Sequence, residues 1–166
     1  MAKAYTGKGD TGYTTTFDGR VLSKDHQIIV AGGKLDALLS ALDSANYLNP
    51  MYATYLEEIS TKLWLISGEL SGAAQAVKKE DISELEKKIE VYGQPPDQFV
   101  RFTNKGSISL NECRVRCREA ESALTPLMRT KTITPEFYAY MNRLSSYFFM
   151  LAYTVEKREN IFDKMR

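Results

Sequence analysis

Apolar residues recur at spacings of three and four from residue 35 onward, and this periodicity restricts the chain to helical architectures. Two stripes carry the pattern most clearly, one from Tyr52 to Leu70 and one from Tyr138 to Val155. No alternating strand pattern competes with them. The sequence therefore predicts an all-α protein whose helices each bury one apolar face.

Signals at the helix ends divide this pattern into five helices, four long and one shorter. The first is predicted to begin just past Gly32 and Gly33. Thr134 followed by Pro135 predicts the start of the last, which should run to about Glu159. The third and fourth are predicted to begin at two capping boxes, Asp81 with Glu84 and Ser109 with Glu112. Short connections between such helices predict a left-handed up-and-down bundle.

Two segments lie outside the helical pattern. Residues 1–33 contain six of the ten glycines and the threonine run Thr14–Thr16, so we expect a loop there. Residues 99–107, FVRFTNKGS, are predicted to be extended. Neither segment is a linker between domains, and a chain of 166 residues is expected to form one domain over residues 1–166.

Charge and composition exclude several functions. A formal net charge of +1 gives no basic field for nucleic acid. No apolar run approaches the roughly 20 residues that span a bilayer, and the opening residues lack the apolar core of a signal peptide, so we expect a cytoplasmic protein. The only histidine is His26, and Cys113 and Cys117 stand without a histidine cluster. These counts argue against a multi-histidine metal site, a zinc site and a disulfide framework.

The N-terminal loop contains a candidate phosphate site at Thr6–Thr15. Its closely spaced glycines allow backbone N–H groups to approach phosphate oxygens, and Lys8 adds a positive charge. The segment is not a P-loop, because the GKS or GKT ending is absent. A flexible glycine-rich tail would have the same composition, so the loop alone leaves both interpretations open.

A second candidate site is formed by Arg114, Arg118 and Glu121, whose spacing places them on one helix face. Two guanidinium groups on one face suit a triphosphate, because arginine binds phosphate in a bidentate manner and keeps its charge. A solvated basic face with an internal salt bridge is the alternative. Arg116 and Glu119 point away from this face and are predicted to lie at the surface.

The sequence also permits predictions for five further positions. Asp36 would either orient an arginine or favour its helix N-terminus electrostatically. Asn142 would either bind an adenine or ribose edge or be satisfied by water. The two cysteines are predicted to be small core residues. Trp64 is predicted to lie in the core or in a subunit interface.

Taken in order, these segments resemble the propanediol-utilisation type of ATP:cob(I)alamin adenosyltransferase, the helical-bundle family that includes the human methylmalonic-aciduria type B enzyme. The resemblance covers nearly the whole chain. Its most specific part, RVRCREAE at residues 114–121, matches the signature R-x-x-C-R-x-A-E. The other matching segments are YTGKGDTGYTTTF at 5–17, RVLSKD at 20–25, GGKLDALLSAL at 32–42, ISTKLWLISGEL at 59–70 and MNRLSSYFFMLA at 141–152.

The resemblance implies a homotrimer that binds ATP between adjacent subunits and transfers its 5′-deoxyadenosyl group to the cobalt of cob(I)alamin. Mg²⁺ would lie on the ATP phosphates without protein ligands, and residues 1–33 would cover ATP and need not be ordered without it. A cobalamin reductase and an adenosylcobalamin-dependent enzyme are the implied partners. The implied ATP-binding residues are Thr6, Gly7, Lys8, Gly9, Asp10, Gly12, Thr14, Thr15, Lys24, Arg114, Arg118, Glu121 and Asn142.

Four residues have implied catalytic roles. Arg114 and Arg118 would hold the triphosphate, and Asp36 would pair with Arg114 across the subunit interface. Phe99 would contact the corrinoid and help to displace its lower ligand. The cobalt itself is the nucleophile, so the reaction requires no histidine base.

The chain departs from the family pattern at Thr11, Ala37, Glu119 and Ser146. Glu119 stands where many relatives have a second consecutive arginine, which reverses a charge beside the predicted triphosphate site. Two other functions therefore stay open. One is a catalytically weak ATP sensor or corrinoid carrier of the same fold, and the other is a structural bundle without a small-molecule site.

Overall fold

The computed structural model describes residues 4–164, and most of them lie in five α-helices. The helices are α1 (Gln27–Leu48), α2 (Ala53–Leu70), α3 (Lys79–Glu90), α4 (Lys105–Arg129) and α5 (Pro135–Lys164). A short 3-10 turn, Pro50–Tyr52, connects α1 to α2. The prediction of an all-α fold with four long helices and one shorter helix is confirmed. The handedness and the homotrimer stay predictions.

Helix α4 lies at the centre of the packing, because it contacts α1 on one side and α5 on the other. Helix α2 packs against α1, and α3 packs against α5. Both predicted stripes are buried along these contacts, apart from Tyr52 and Tyr138, which are partly buried. The buried stripe residues are Leu56, Ile59, Leu63, Ile66, Leu70, Met141, Leu144, Phe148, Leu151 and Val155.

The first helix begins earlier than predicted. Its first residue is Gln27, and the His26 Nδ1 accepts a hydrogen bond of 3.2 Å from the Ile28 N–H. Gly32 and Gly33 therefore lie inside α1, and the prediction of a loop up to residue 33 was wrong. Each glycine costs a helix about 1 kcal/mol relative to alanine. Burial of Ile28 and Ala31 against the core offsets that cost.

The N-terminal segment also contains a strand pair that the sequence pattern did not predict. Strand β1 (Tyr13–Thr15) pairs antiparallel with β2 (Val21–Ser23), with Tyr13 opposite Ser23 and Thr15 opposite Val21. The prediction that no strand competes with the helices was wrong here. Strands of three residues are too short for an alternating pattern to be visible, although their threonine and valine residues favour extended backbone.

Both predicted capping boxes were misplaced. Helix α3 begins at Lys79, and Asp81 lies in its first turn, where the carboxylate accepts a hydrogen bond of 2.8 Å from the Lys78 N–H. Helix α4 begins at Lys105, because the Asn104 Oδ1 accepts a hydrogen bond of 2.9 Å from the Ser107 N–H. Residues 105–107 are therefore helical rather than extended, and Ser109 lies inside the helix.

The predicted start of the last helix is confirmed. The Thr134 Oγ1 accepts a hydrogen bond of 3.1 Å from the Phe137 N–H, and Pro135 is the first helical residue. Helix α5 continues past the predicted end at Glu159 to Lys164. Within residues 4–164, no helix combines the length and the apolar character that a bilayer crossing requires.

Candidate functional site

Arg114 and Arg118 open into a cleft of about 410 Å³ between α4, α5 and the end of α3. We call it the arginine cleft. The polar side consists of the two arginines together with Ser145 and Ser146 of α5. The apolar lining residues include Ile89, Pro95, Phe149 and Met150, and we call this part of the lining the apolar side. A cleft with a cationic side and an apolar side can bind a polyanion next to a large apolar group.

The two arginines carry positive charge that no neighbouring carboxylate neutralises. Neither is in an ion pair among the described residues. The Arg114 Nε instead donates a hydrogen bond of 2.8 Å to the Asn111 Oδ1. Burial and the neighbouring Arg118 charge lower the pKa of Arg114. Two adjacent cations without a counterion disfavour each other, so a bound anion would relieve their repulsion.

Glu121 and Asn142 meet at the interface of α4 and α5. The Asn142 Nδ2 donates a hydrogen bond of 2.7 Å to the Glu121 Oε1. The Asn142 Oδ1 accepts a hydrogen bond of 3.0 Å from Arg143, whose Nε is 2.8 Å from the Glu86 Oε1. The structure thus brings together two predicted adenosine-binding residues. Asn142 is held by protein side chains, whereas the alternative from the sequence was a water-satisfied asparagine.

Glu119 and Arg116 lie on a different face of α4, as predicted. The Glu119 carboxylate is 3.1 Å from the Lys34 Nζ of α1 and 3.3 Å from Arg116. The hydrogen bond from Lys34 lowers the pKa of Glu119. Arg116 also forms an ion pair of 2.8 Å with Glu112. The reversed charge at residue 119 is therefore engaged by two cations on its own side of α4.

The glycine-rich loop folds back on itself. The Gly12 carbonyl oxygen accepts a hydrogen bond of 2.8 Å from the Lys24 N–H, and the Gly12 N–H donates one of 3.2 Å to the Gly9 carbonyl oxygen. A Cβ at Gly9 would lie 2.9 Å from the Lys24 Nζ, so the ammonium group of Lys24 comes close to the backbone of Gly9. Gly7 and Gly12 have φ angles of 70° and 82°, which favour glycine. Lys24 is thus beside the predicted phosphate loop.

The other loop residues of the prediction lie at the surface or in β1. The Thr6 Oγ1 accepts a hydrogen bond of 3.4 Å from the Lys8 N–H, and the Asp10 N–H donates one of 3.2 Å to the Gly7 carbonyl oxygen. Thr14 and Thr15 belong to β1, where Thr14 is half-buried and Thr15 is exposed.

Asp18 attaches this loop to the end of α2. The Asp18 N–H donates a hydrogen bond of 3.3 Å to the Ser71 carbonyl oxygen, and its carboxylate lies where a Cβ at Gly72 would be. Hydrogen bonds from Arg20 and Thr16 lower the pKa of Asp18 to about 2. No hydrogen bond or ion pair within residues 4–164 connects the loop with Arg114 or Arg118. One copy of the chain therefore leaves the phosphate loop and the arginine cleft unconnected.

Two other predicted catalytic residues are not among the lining residues of the arginine cleft in a single chain. Asp36 is exposed on α1, and Phe99 is fully exposed ahead of α4. Three residues after Phe99, the ring of Phe102 packs edge-on against Phe149 with centroids 6.2 Å apart. The predicted pairing joins Asp36 to Arg114 of an adjacent subunit, so it requires an assembly of chains and stays a prediction.

Reasoning from the sequence assigned no role to three residues of this region. Phe149 and Met150 line the arginine cleft, and the signal was their position two turns after Asn142 on the same helix. Glu156 of α5 is buried and contacts the first turn of α4. Its only signal in the sequence was a carboxylate next to the apolar stripe of α5.

The cysteines, the histidine and the tryptophan have no part in the cleft. Burial raises the pKa of Cys113 to about 12 and that of Cys117 further, so both are core residues with unreactive thiols, as predicted. His26 caps α1. Trp64 is 65% exposed, so its assignment to the core was wrong, whereas an interface role stays open. Within the described chain, no three His, Cys, Asp or Glu side chains cluster as metal ligands would.

Comparison with known proteins shows which family this chain resembles. A profile of the family "Cobalamin adenosyltransferase" matches residues 4–155. The corrinoid adenosyltransferase MMAB of Bos taurus is 34% identical over 179 residues, which cover 96% of this chain and 74% of the bovine protein. A corrinoid adenosyltransferase of Citrobacter freundii is 31% identical over 92% of this chain and 94% of its own length.

Solved structures give the same result. A variant PduO-type ATP:corrinoid adenosyltransferase from Lactobacillus reuteri, complexed with cobalamin and ATP, superposes with a TM-score of 0.87 at 25% identity and covers 95% of this chain and 93% of its own. A second variant, complexed with ATP, has a TM-score of 0.84 at 27% identity, covering 94% of this chain and 95% of its own. The chain belongs to the cobalamin adenosyltransferase family.

Proposed function

We propose that the arginine cleft is the reaction site of this corrinoid adenosyltransferase, which transfers the 5′-deoxyadenosyl group of ATP to the cobalt of cob(I)alamin. The observation that carries the proposal is the pair Arg114 and Arg118, which face the cleft without a carboxylate partner among the described residues. The Lactobacillus reuteri relatives, complexed with cobalamin and ATP or with ATP, support it.

The reaction requires little covalent chemistry from the protein. The electron pair on the reduced cobalt forms a bond to the ribose C5′. The bond from C5′ to the phosphate oxygen breaks at the same time, and triphosphate leaves with the electron pair of that broken bond. The protein must align the two reactants, stabilise the charge of the leaving group and keep water out. Mg²⁺ on the ATP phosphates would share the charge stabilisation with the arginines, without a protein ligand.

Each part of the cleft then has a role. Arg114 and Arg118 hold the triphosphate, since guanidinium groups bind phosphate oxygens in a bidentate manner. Glu121 lies one turn after Arg118 on α4, and Asn142 lies on the neighbouring helix α5. These two residues hold the adenosine. The apolar side, with Phe149 and Met150, faces the corrinoid and lowers the water content of the site. Phe99 approaches the lower face of the corrinoid.

The nucleotide site is completed by a second copy of the chain. The loop with Thr6, Gly9 and Lys24 is attached to the end of α2, apart from the arginine cleft of its own chain. In a homotrimer, this loop would cover the ATP bound in the cleft of the adjacent subunit. Asp36 would pair there with Arg114 of the adjacent subunit and position it against the triphosphate.

The test is anaerobic and spectroscopic. Purified protein is mixed with MgATP and chemically reduced cobalamin, and the cob(I)alamin absorption band is followed. Conversion to the adenosylcobalamin spectrum with equimolar triphosphate release is the expected result. If the band persists while ATP binds, the chain is an ATP sensor or corrinoid carrier. If neither ligand shifts thermal unfolding, it is a structural bundle.

A further inference from the structure

Glu156 of α5 is a buried carboxylate at the first turn of α4. It is only 4% exposed, although it lies on the same helix as the exposed Lys157 and Arg158. Five donors of the described residues converge on its two oxygens: the N–H of Thr103 at 3.0 Å, the Thr103 hydroxyl at 2.5 Å, the N–H of Asn104 at 3.4 Å, the Asn104 side-chain amide at 2.7 Å and the Ser107 hydroxyl.

This arrangement fixes how the chain enters α4. A buried carboxylate is costly unless donors satisfy it, and here both the backbone and the side chains of Thr103 and Asn104 do so. Asn104 is also the N-cap of α4, because its Oδ1 accepts the hydrogen bond from the Ser107 N–H. Glu156 therefore holds the cap itself and the residue before it, although it lies 52 residues beyond the cap along the chain.

The residues held by Glu156 continue directly into the aromatic segment of the site. Phe102 precedes Thr103, and its ring packs edge-on against Phe149, which lines the arginine cleft. Phe99 lies three residues before Phe102. Its side chain is fully exposed, so packing against the core does not fix its position. The direction of the segment is therefore set where it joins α4, by Glu156 on one side and the contact of Phe102 with Phe149 on the other.

We propose that Glu156 is a positioning residue for adenosyl transfer: by holding Thr103 and Asn104, it keeps the segment Phe99–Phe102 against the corrinoid side of the arginine cleft. The inference rests on the proposed function, because it assigns that segment to the corrinoid. Glu156 touches neither substrate. Its contribution is geometric, and it concerns the corrinoid rather than the nucleotide, because the arginines that hold ATP lie about three and four turns beyond Asn104 along α4.

The test uses three variants of the full-length protein. Glu156→Gln keeps the shape and one acceptor oxygen but loses the charge that five donors share. Thr103→Val removes a single hydroxyl donor without changing the shape and serves where Glu156→Gln does not fold. Glu159→Gln makes the same chemical change at an exposed residue of α5 and is the matched control.

Two readouts separate positioning from simple stability. For Glu156→Gln we expect the KM for the corrinoid to rise about tenfold, as for other small misplacements of a reacting group, while the KM for ATP stays within about twofold. Thr103→Val should shift the corrinoid KM in the same direction by less, and Glu159→Gln should match the wild type. Hydrogen exchange of the Thr103 and Asn104 amides should accelerate in Glu156→Gln alone.

The outcomes distinguish the two levels of the proposal. A wild type that binds ATP but forms no adenosylcobalamin overturns the proposed function. An active wild type whose folded Glu156→Gln variant keeps its corrinoid KM overturns the positioning role alone. Equal increases in both KM values, or slow amide exchange in Glu156→Gln, overturn it as well, because the effect would then not pass through the aromatic segment.

Discussion

Glu121 on α4 and Asn142 on α5 are joined by a hydrogen bond of 2.7 Å from the Asn142 Nδ2 to the Glu121 Oε1. The Asn142 Oδ1 accepts from Arg143 at the same time, so both ends of the amide are engaged and its orientation is set. The two residues are on rigid helices that pack along the molecule's centre. A ligand that binds this pair therefore contacts side chains that are already ordered, which reduces the entropy cost of binding.

Replacing Asn142 by alanine should weaken ATP binding. The change leaves the Glu121 carboxylate without its amide donor in a partly buried interface, and such a loss costs about 1–3 kcal/mol. Titration calorimetry with MgATP should show a dissociation constant raised about tenfold. Ser122→Ala, at an exposed residue of the same α4 turn as Glu121, is the control and should bind normally. Unchanged affinity in Asn142→Ala would exclude the pair from the nucleotide site.

Replacing Arg118 by alanine should abolish most of the transfer activity. Loss of a desolvated charged contact to triphosphate costs on the order of 2–5 kcal/mol, and the effect should appear in kcat/KM for ATP. Arg118→Lys keeps the charge but loses the bidentate geometry, so it should fall between alanine and the wild type. Arg116→Ala removes an arginine that is engaged by Glu112 and Glu119 on another face of α4, and it should remain active. Normal transfer by Arg118→Ala would contradict the phosphate role.

Glu119 should have little influence on catalysis, although it reverses the charge found in many relatives. Its carboxylate is engaged by Lys34 and Arg116, away from the arginine cleft. Exposed ion pairs of this kind contribute little, so Glu119→Gln should retain transfer activity within about fivefold. The measurement is the steady-state rate with saturating MgATP. A large gain in Glu119→Gln would show that the departure does limit this enzyme.

Stability should fall in acid partly because of Glu156. Burial raises the pKa of this carboxyl, but hydrogen bonds from Ser107, Thr103 and Asn104 outweigh it and hold the pKa at about 2, below the ordinary 4.5. A depressed pKa stabilises the fold above the unfolded value, and this stability is lost as the pH falls from about 4.5 towards 2. The contribution at neutral pH is on the order of 3 kcal/mol.

Denaturant unfolding of the wild type and Glu156→Gln at pH 7 and pH 3 measures this contribution. The wild type should be the more stable protein at pH 7, and the difference in the free energy of unfolding should shrink at pH 3. A difference that is the same at both pH values would mean that the charge of Glu156 does not stabilise the fold.

The helices and the main features of the site were accessible from the sequence because both depend on spacing along one element. The apolar stripes predicted which faces are buried, and the interval between Arg114 and Arg118 predicted a shared helix face. Which residues share a helix face can be predicted without the tertiary structure, because the helix geometry determines it.

The features that were missed depend on contacts between distant segments. The start of α4 was misplaced because Asn104 is favoured as a cap by Glu156, which no local pattern could indicate. The engagement of Glu119 by Lys34 likewise joins residues 85 positions apart. The start of α1 was misplaced because burial of Ile28 outweighs the helix-breaking tendency of Gly32 and Gly33.

The attachment of the phosphate loop to α2 has a consequence for how this protein tolerates change. The carboxylate of Asp18 occupies the volume that any side chain at residue 72 would need, and Gly72 has a φ of 100°. Residues 18 and 72 are therefore not free to vary independently during evolution. A side chain at position 72 would meet both the Asp18 carboxylate and an unfavourable backbone conformation, so relatives that keep Asp18 should also keep glycine at position 72.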